Sequence, residues 1–189
     1  MQCCRIRPPG LFMSNLPLTE IAEFMTAHQL MLTTAESCTA GLIAAHLADI
    51  PGAGKLLDSA FVTYSVEAKE RKLGVSHATI ERCNLTSEEV ASEMAYGALR
   101  DSPANLAIAN TGVTDDTDPA IPAGTQCFAW LFAAANGQPA KLFTATKQFT
   151  GDRNEIREQA ARHALSKIPE YHQAFMREAA AAEDRTSES

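Results

Sequence analysis

The sequence predicts an α/β chain: a three-layer α/β/α sandwich around a mixed, mostly parallel sheet of about five strands that includes one β-hairpin. Three observations predict it. Short apolar, β-branched runs alternate with segments of helical periodicity, the pattern of strands joined by crossover helices. The run Asn105-Leu-Ala-Ile-Ala-Asn110 is small and apolar without polar alternation, which suits a central strand covered on both faces. Asn136-Gly137 separates two further apolar runs, the dipeptide favoured in tight hairpin turns.

The elements follow in order. Residues 1–12 show no periodicity and no signal-peptide core, and read as a loose N-terminal arm or an over-called start, with Met13 the alternative first residue. Thr19 as N-cap, with Ile21, Phe24 and Met25 at helical spacing, predicts an amphipathic helix over 20–28. Met31 to Thr34 predicts a short buried strand. Beyond Gly41, Leu42, Ile43, Leu47 and Ile50 recur at helical spacing until Pro51-Gly52 stops them. Residues 59–65 predict a second strand with Phe61 and Val62 in the core, and 67–73 a short helix ended by Gly74. Thr86 and Glu89 stand at capping-box spacing before a helix that Val90, Met94 and Leu99 carry to about Arg100. Residues 126–134 and 141–149 are the hairpin strands. Asp152 then caps a helix whose inner stripe is Ile156, Ala160, Ala164 and Leu165, and Pro169 ends or kinks it. Residues 171–182 read as helical and 183–189 as disordered, so the domain proper spans 13–168 with a tail over 169–189.

Bulk composition narrows the function classes. At 189 residues, with 46% apolar and 21% charged residues, the chain suits one soluble domain. A net charge of −7 without a basic block argues against nucleic acid as a partner. The longest apolar run, 127–135, is too short for a bilayer, so no membrane association is expected. Five cysteines, an odd number with no C-x-x-C pair, point to a reduced, cytoplasmic protein without a cysteine metal site. Asp115, Asp116 and Asp118 invite a calcium reading but lack the glycine and distal glutamate of an EF-hand, and a solvated acidic loop fits better.

The chemistry concentrates at Ala35-Glu-Ser-Cys-Thr-Ala-Gly41, where a strand turns sharply into a helix. Helix N-terminal N–H groups lack intrahelical partners and carry partial positive charge. A hydroxyl there can attack a carbonyl while those N–H groups hold the oxyanion. The same geometry can bind phosphate, and Ser37 or Thr39 can equally be a plain helix cap. Tyr64 falls at the end of the next strand and Lys69 five residues on, where open α/β sheets gather ligands; a rim tyrosine and a solvated lysine are the alternative.

Taken together, Thr34-Ala-Glu-Ser-Cys-Thr-Ala-Gly41, Val62-Thr-Tyr-Ser-Val-Glu-Ala-Lys69, Thr111-Gly112, Gly124-Thr125 and Phe149-Thr-Gly-Asp-Arg153 with Ile156-Arg157 resemble the CinA C-terminal-domain family, which includes nicotinamide-nucleotide amidohydrolases. The resemblance covers roughly residues 18–165. It implies deamidation of nicotinamide mononucleotide, or a related nucleotide amide, with release of ammonia and without metal or cofactor. It implies Ser37 as nucleophile, Tyr64 and Lys69 as the other catalytic groups, and a homodimer. It places substrate against Cys38, Thr39, Ala40 and Gly41, with Thr111, Gly112 and Arg153 near its ribose or phosphate. A serine needs a base, and no histidine stands where a Ser-His pair would need it; a buried lysine with a lowered pKa can serve.

The chain departs from the family pattern at three places. Ala40 replaces a glycine, Val66 replaces an asparagine, and residues 113–122 replace a glycine-rich, lysine-bearing loop with one carrying three carboxylates. Facing a phosphate, such a loop is repulsive. The alternative to an active amidohydrolase is therefore a catalytically quiet member that binds a nucleotide or a protein.

Overall fold

The computed structural model describes residues 17–116, 118–134 and 139–187; the expected arm at 1–12 and the Asn136-Gly137 turn lie outside them. The elements are α1 (Leu18–Ala27), β1 (Leu32–Glu36), α2 (Leu42–Ala48), a single 3-10 turn (Ala53–Lys55), β2 (Leu57–Val62), α3 (Val66–Leu73), α4 (His77–Cys83), α5 (Glu88–Arg100), β3 (Leu106–Gly112), β4 (Thr125–Phe132), β5 (Lys141–Gln148), α6 (Arg153–Ser166) and α7 (Ile168–Ser187).

The sheet order is β2-β1-β3-β4-β5. β1 pairs in parallel with β2 and β3, while β4 runs antiparallel to both β3 and β5, so four strands point one way and β4 opposes them. The chain leaves β1 for β2 on one side and returns to β3 on the other. The carboxyl end of β1 is thus the topological switch point, where open α/β sheets form clefts.

Side-chain alternation assigns the layers. Leu106 and Ile108 of β3, with Phe128, Trp130 and Phe132 of β4, face α1, α2, α6 and α7. Ala107 and Ala109, with Cys127, Ala129 and Leu131, face the α5 side. One face carries large rings and the other mostly small residues, so α5 packs close to the sheet. Trp130, fully buried, satisfies its N–H on the Ala164 carbonyl at 2.8 Å.

Several expectations are corrected. The helix expected from residue 20 with a Thr19 cap begins at Leu18 behind Pro17, without a side-chain cap. Val62 is 52% exposed rather than in the core, because β2 is an edge strand whose outer face meets solvent. Thr86 is not the cap of α5; Ser87 is, accepting the Val90 N–H. The helix α4 was not legible, being short and weakly patterned. β3 runs on past the expected small apolar run to include Thr111 and Gly112. α7 continues to Ser187, beyond the point where composition suggested that order ends. The α6 reading holds, with a full capping box between Asp152 and Glu155.

The tight α3–α5 approach depends on Gly97. A Cβ added there would collide with the backbone of Leu73, whose Cα and carbonyl carbon lie 2.7 Å away. Backbone cannot swing aside as a flexible side chain can. Gly97→Ala should therefore destabilise the fold by about 2–3 kcal/mol, seen as a lower urea midpoint at unchanged m-value.

Candidate active site

β1 ends at Glu36, and the chain then makes a tight turn through Ser37, Cys38, Thr39, Ala40 and Gly41 into α2. Ala40 and Gly41 have φ of +50° and +97°. The left-handed region costs an alanine about 1 kcal/mol, and the turn tolerates it because its backbone is held on all sides. The Glu36 carboxylate, fully buried, is the chief restraint. It accepts the N–H groups of Gly41 (2.8 Å), Ile43 (3.1 Å) and Ala44 (3.0 Å) and the Thr34 hydroxyl (2.9 Å). Each oxygen takes two donors, so the otherwise orphaned N–H groups of α2 are capped by the last residue of the preceding strand. Neither Ser37 nor Thr39 is the cap, and the position a phosphate would take at this helix end is occupied by a carboxylate.

Other groups lock the turn from outside. Arg157 of α6 donates to the carbonyls of Cys38 (3.0 Å) and Thr39 (3.2 Å). Asn110 at the end of β3 accepts the Thr39 N–H (3.1 Å) and donates to Gln126 (3.0 Å), which reaches the Cys38 sulfur (3.2 Å) and the Val113 carbonyl (2.9 Å). Cys38 is buried, and burial pushes its thiol pKa up, so it is a poor thiolate source. The Thr39 and Thr63 hydroxyls are buried without a hydrogen-bond partner among the described residues.

Ser37, by strand alternation, faces the α3/α5 layer, and there it meets Lys69. The Lys69 side chain is fully buried; its Nζ donates to Ser37 Oγ (2.9 Å), to the Thr63 carbonyl (2.8 Å) and to the Tyr64 carbonyl (3.3 Å). Among the described residues no carboxylate touches the ammonium, and burial brings its pKa down to about 8. The solvated-lysine alternative is thereby excluded. Ser65 caps α3 through the Ala68 N–H and sets the helix start that brings Lys69 round to Ser37.

Tyr64 contributes differently from the expectation. Its backbone carbonyl, not its phenol, meets Lys69; the phenol is 57% exposed and bonds Arg153 Nη2 at 2.6 Å. Arg153 Nη1 reaches the Thr114 hydroxyl (2.8 Å) and Asp115 (3.3 Å). Thr111 lies beside Ser37 by strand register, but its hydroxyl donates to the Leu85 carbonyl at 3.0 Å. Gly112 leaves room for the Gln126 side chain. Asp118 is bound by Asn84 and the Ala120 N–H, and no cluster of potential metal ligands occurs among the described residues.

Glu36, Asn110, Gln126, Thr63 and Arg157 were missed as site residues. The signals were faint: polar residues at the ends of apolar strands, and an arginine beside the inner stripe of α6. The histidines take no part. His46 pairs with Glu158, His77 with Glu70, and His163 lies among aromatic rings, where burial brings its pKa down to about 4.

Two outcomes follow from this geometry. Glu36→Gln puts an amide NH2 where an oxygen accepted two donors, at least one of them a backbone N–H, and should cost about 2–4 kcal/mol in chemical denaturation. The low pKa of Lys69 is a folding cost wherever the unfolded chain would hold the proton more tightly. Below pH 8 both states are protonated and the cost is complete; it is relieved between about 8 and 10.5 as the folded state releases its proton first. Relative to Lys69→Met, the wild type should gain on the order of 3 kcal/mol across that window.

Comparison with known proteins gives this geometry its setting. The model of the CinA C-terminal domain family matches residues 17–172. Nicotinamide-nucleotide amidohydrolase PncC of Enterobacter agglomerans is 40% identical over 148 residues, covering 77% of this chain and 87% of that protein. A putative competence-damage inducible protein of Symbiobacterium thermophilum is 38% identical over 156 residues, 80% of this chain. The chain spans about a third of the length of that relative and of a CinA-like protein of Mycobacterium tuberculosis, 37% and 35% respectively. Among solved structures, the competence damage-inducible protein A of Klebsiella pneumoniae superposes with a TM-score of 0.74 at 35% identity, covering 81% of this chain and 92% of its own. A CinA superfamily protein of Escherichia coli gives 0.72 at 37%, covering 80% and 86%. No helix among the described residues is long and apolar enough to cross a membrane. On the family match and these identities, the chain belongs to the CinA C-terminal domain family.

Proposed function

We propose that this chain hydrolyses the carboxamide of nicotinamide mononucleotide, or of a related nucleotide amide, to the acid and ammonia through Ser37 and Lys69. The observation that carries the reading is the 2.9 Å contact between Lys69 Nζ and Ser37 Oγ, with the amine buried and held otherwise by carbonyls. The similarity to the nicotinamide-nucleotide amidohydrolase of Enterobacter agglomerans supports the substrate class. Cys38, Cys83 and Cys127 are free thiols, which suits a reducing cytoplasm.

As a neutral amine, Lys69 keeps two N–H bonds to the Thr63 and Tyr64 carbonyls and turns its lone pair to the Ser37 hydroxyl. Ser37 Oγ attacks the carboxamide carbon and its proton passes to Nζ. Collapse of the tetrahedral adduct expels ammonia, protonated by the same ammonium, and leaves an ester on Ser37. Water, deprotonated by Lys69, cleaves that ester to give the acid, so one water is consumed per amide. The N–H groups of Thr39, Ala40, Gly41, Leu42, Ile43 and Ala44 are already engaged, so the backbone donor for the oxyanion is the Cys38 N–H, uncommitted among the described residues. That shortage of donors favours a second reading, a family member that binds its nucleotide without turning it over.

Coupled ammonia release from nicotinamide mononucleotide separates the two. An active enzyme should lose about a thousandfold or more in turnover with Ser37→Ala or with Lys69→Ala. Wild-type turnover no higher than that of Ser37→Ala, on nicotinamide mononucleotide and on its phosphate-free riboside alike, establishes the quiet module, and turnover that survives Lys69→Ala overturns the serine–lysine mechanism. Because the amine must be neutral to act, kcat/KM should climb with pH to a plateau above about 8.

A further inference from the structure

The features near Ser37 that attract anions already have acceptors of the chain itself against them, and three of these acceptors are carboxylates. The N-terminus of α2 is held by Glu36. The N-terminus of α6 is capped by Asp152, which accepts the Asn154 and Glu155 N–H groups. Arg153 has Asp115 at 3.3 Å. Arg157, the other arginine at the turn, is spent on the Cys38 and Thr39 carbonyls. Of these carboxylates Asp115 is the one paired with a guanidinium, and that guanidinium also holds the Tyr64 phenol, two groups from Lys69 along the chain of contacts.

From this arrangement we infer that Asp115 is a specificity-determining residue: it takes the anion-accepting side of Arg153, disfavours a phosphorylated substrate and sets the mouth for a phosphate-free, cationic nucleoside amide. The inference rests on the amide-binding reading of the Ser37 site and moves its preferred substrate from the nucleotide to the corresponding nucleoside. A mononucleotide phosphate brings up to two negative charges, whereas the pyridinium of the corresponding riboside is positive. With Arg153 paired to Asp115, the guanidinium offers less attraction to the former, and the mouth presents a carboxylate to the latter. Thr114 and Tyr64 hold the guanidinium in place, so an incoming phosphate must compete with Asp115 at a fixed position rather than draw the arginine away. Both members of the pair are about half exposed, so the contact itself contributes little to stability and its consequence is selection.

The test is equilibrium binding by calorimetry on Ser37→Ala protein, with nicotinamide mononucleotide and nicotinamide riboside as probes. The Asp115 parent should bind the riboside at least as tightly as the mononucleotide. Adding Asp115→Asn should tighten the mononucleotide about tenfold and alter the riboside by less than about twofold. Asp116→Asn removes the same charge from the neighbouring position and should leave the ratio unchanged. The proposal is overturned by a ratio that does not move in Asp115→Asn, by an equal movement in Asp116→Asn, which would make it a long-range charge effect, or by failure of both probes to bind any of the proteins. Turnover plays no part in this measurement, so an absence of ammonia release by the wild type sinks the amidase reading without deciding this one.

Discussion

Everything at the site hangs on the buried Glu36 carboxylate and its four hydrogen bonds. An ionisable group in a dry core is expensive unless its lone pairs are all met. Here three of the donors are N–H groups that the start of α2 would otherwise leave orphaned, so two costs cancel. The result fixes the angle between β1 and α2 and forces the intervening residues through the left-handed backbone at Ala40 and Gly41. Ser37 lies on the inside of that bend, and its direction follows from the bend rather than from its own contacts.

The second constraint is a buried cation. Lys69 is brought under the sheet edge by a helix that Ser65 starts, and it finds two carbonyls and one hydroxyl but no carboxylate. A carboxylate partner would have held the proton on the lysine and made it useless as a base near neutral pH. Carbonyls satisfy the N–H groups without that Coulombic hold, so desolvation governs the proton. The positive end of α2 is answered by Glu36 and therefore does little to the serine above it. That balance separates this turn from an anion-binding loop, although the two look alike in sequence.

The layer order, the central position of β3 and the α6 cap were legible because each rests on local patterning: periodicity, small apolar runs, and an Asp-x-x-Glu start. The turn bearing Ser37 was legible for the same reason. The edge position of Val62, the helix α4 and the true cap of α5 were not. Sheet order is a non-local property, and two adjacent hydroxyl residues can each be read as a cap. Tyr64 was placed among the catalytic groups by resemblance; its phenol turns outward to Arg153, because the edge strand before it leaves that side open.

By itself the sequence determined which residue types could do chemistry here: a hydroxyl at a strand-to-helix bend, an amine in the next βα unit, an arginine at a helix start and an acidic loop. Those are facts of spacing and composition, set within about a dozen residues each. Only the tertiary structure decided how they pair. It gave the α2 N–H groups to Glu36, the Lys69 ammonium to Ser37 and two carbonyls, and the Arg153 guanidinium to Tyr64, Thr114 and Asp115. The reason is that donors and acceptors from β1, β2, β3, α3 and α6 compete for one another at a single sheet edge. Which partner wins depends on distance and burial, and neither can be read along one strand of the chain.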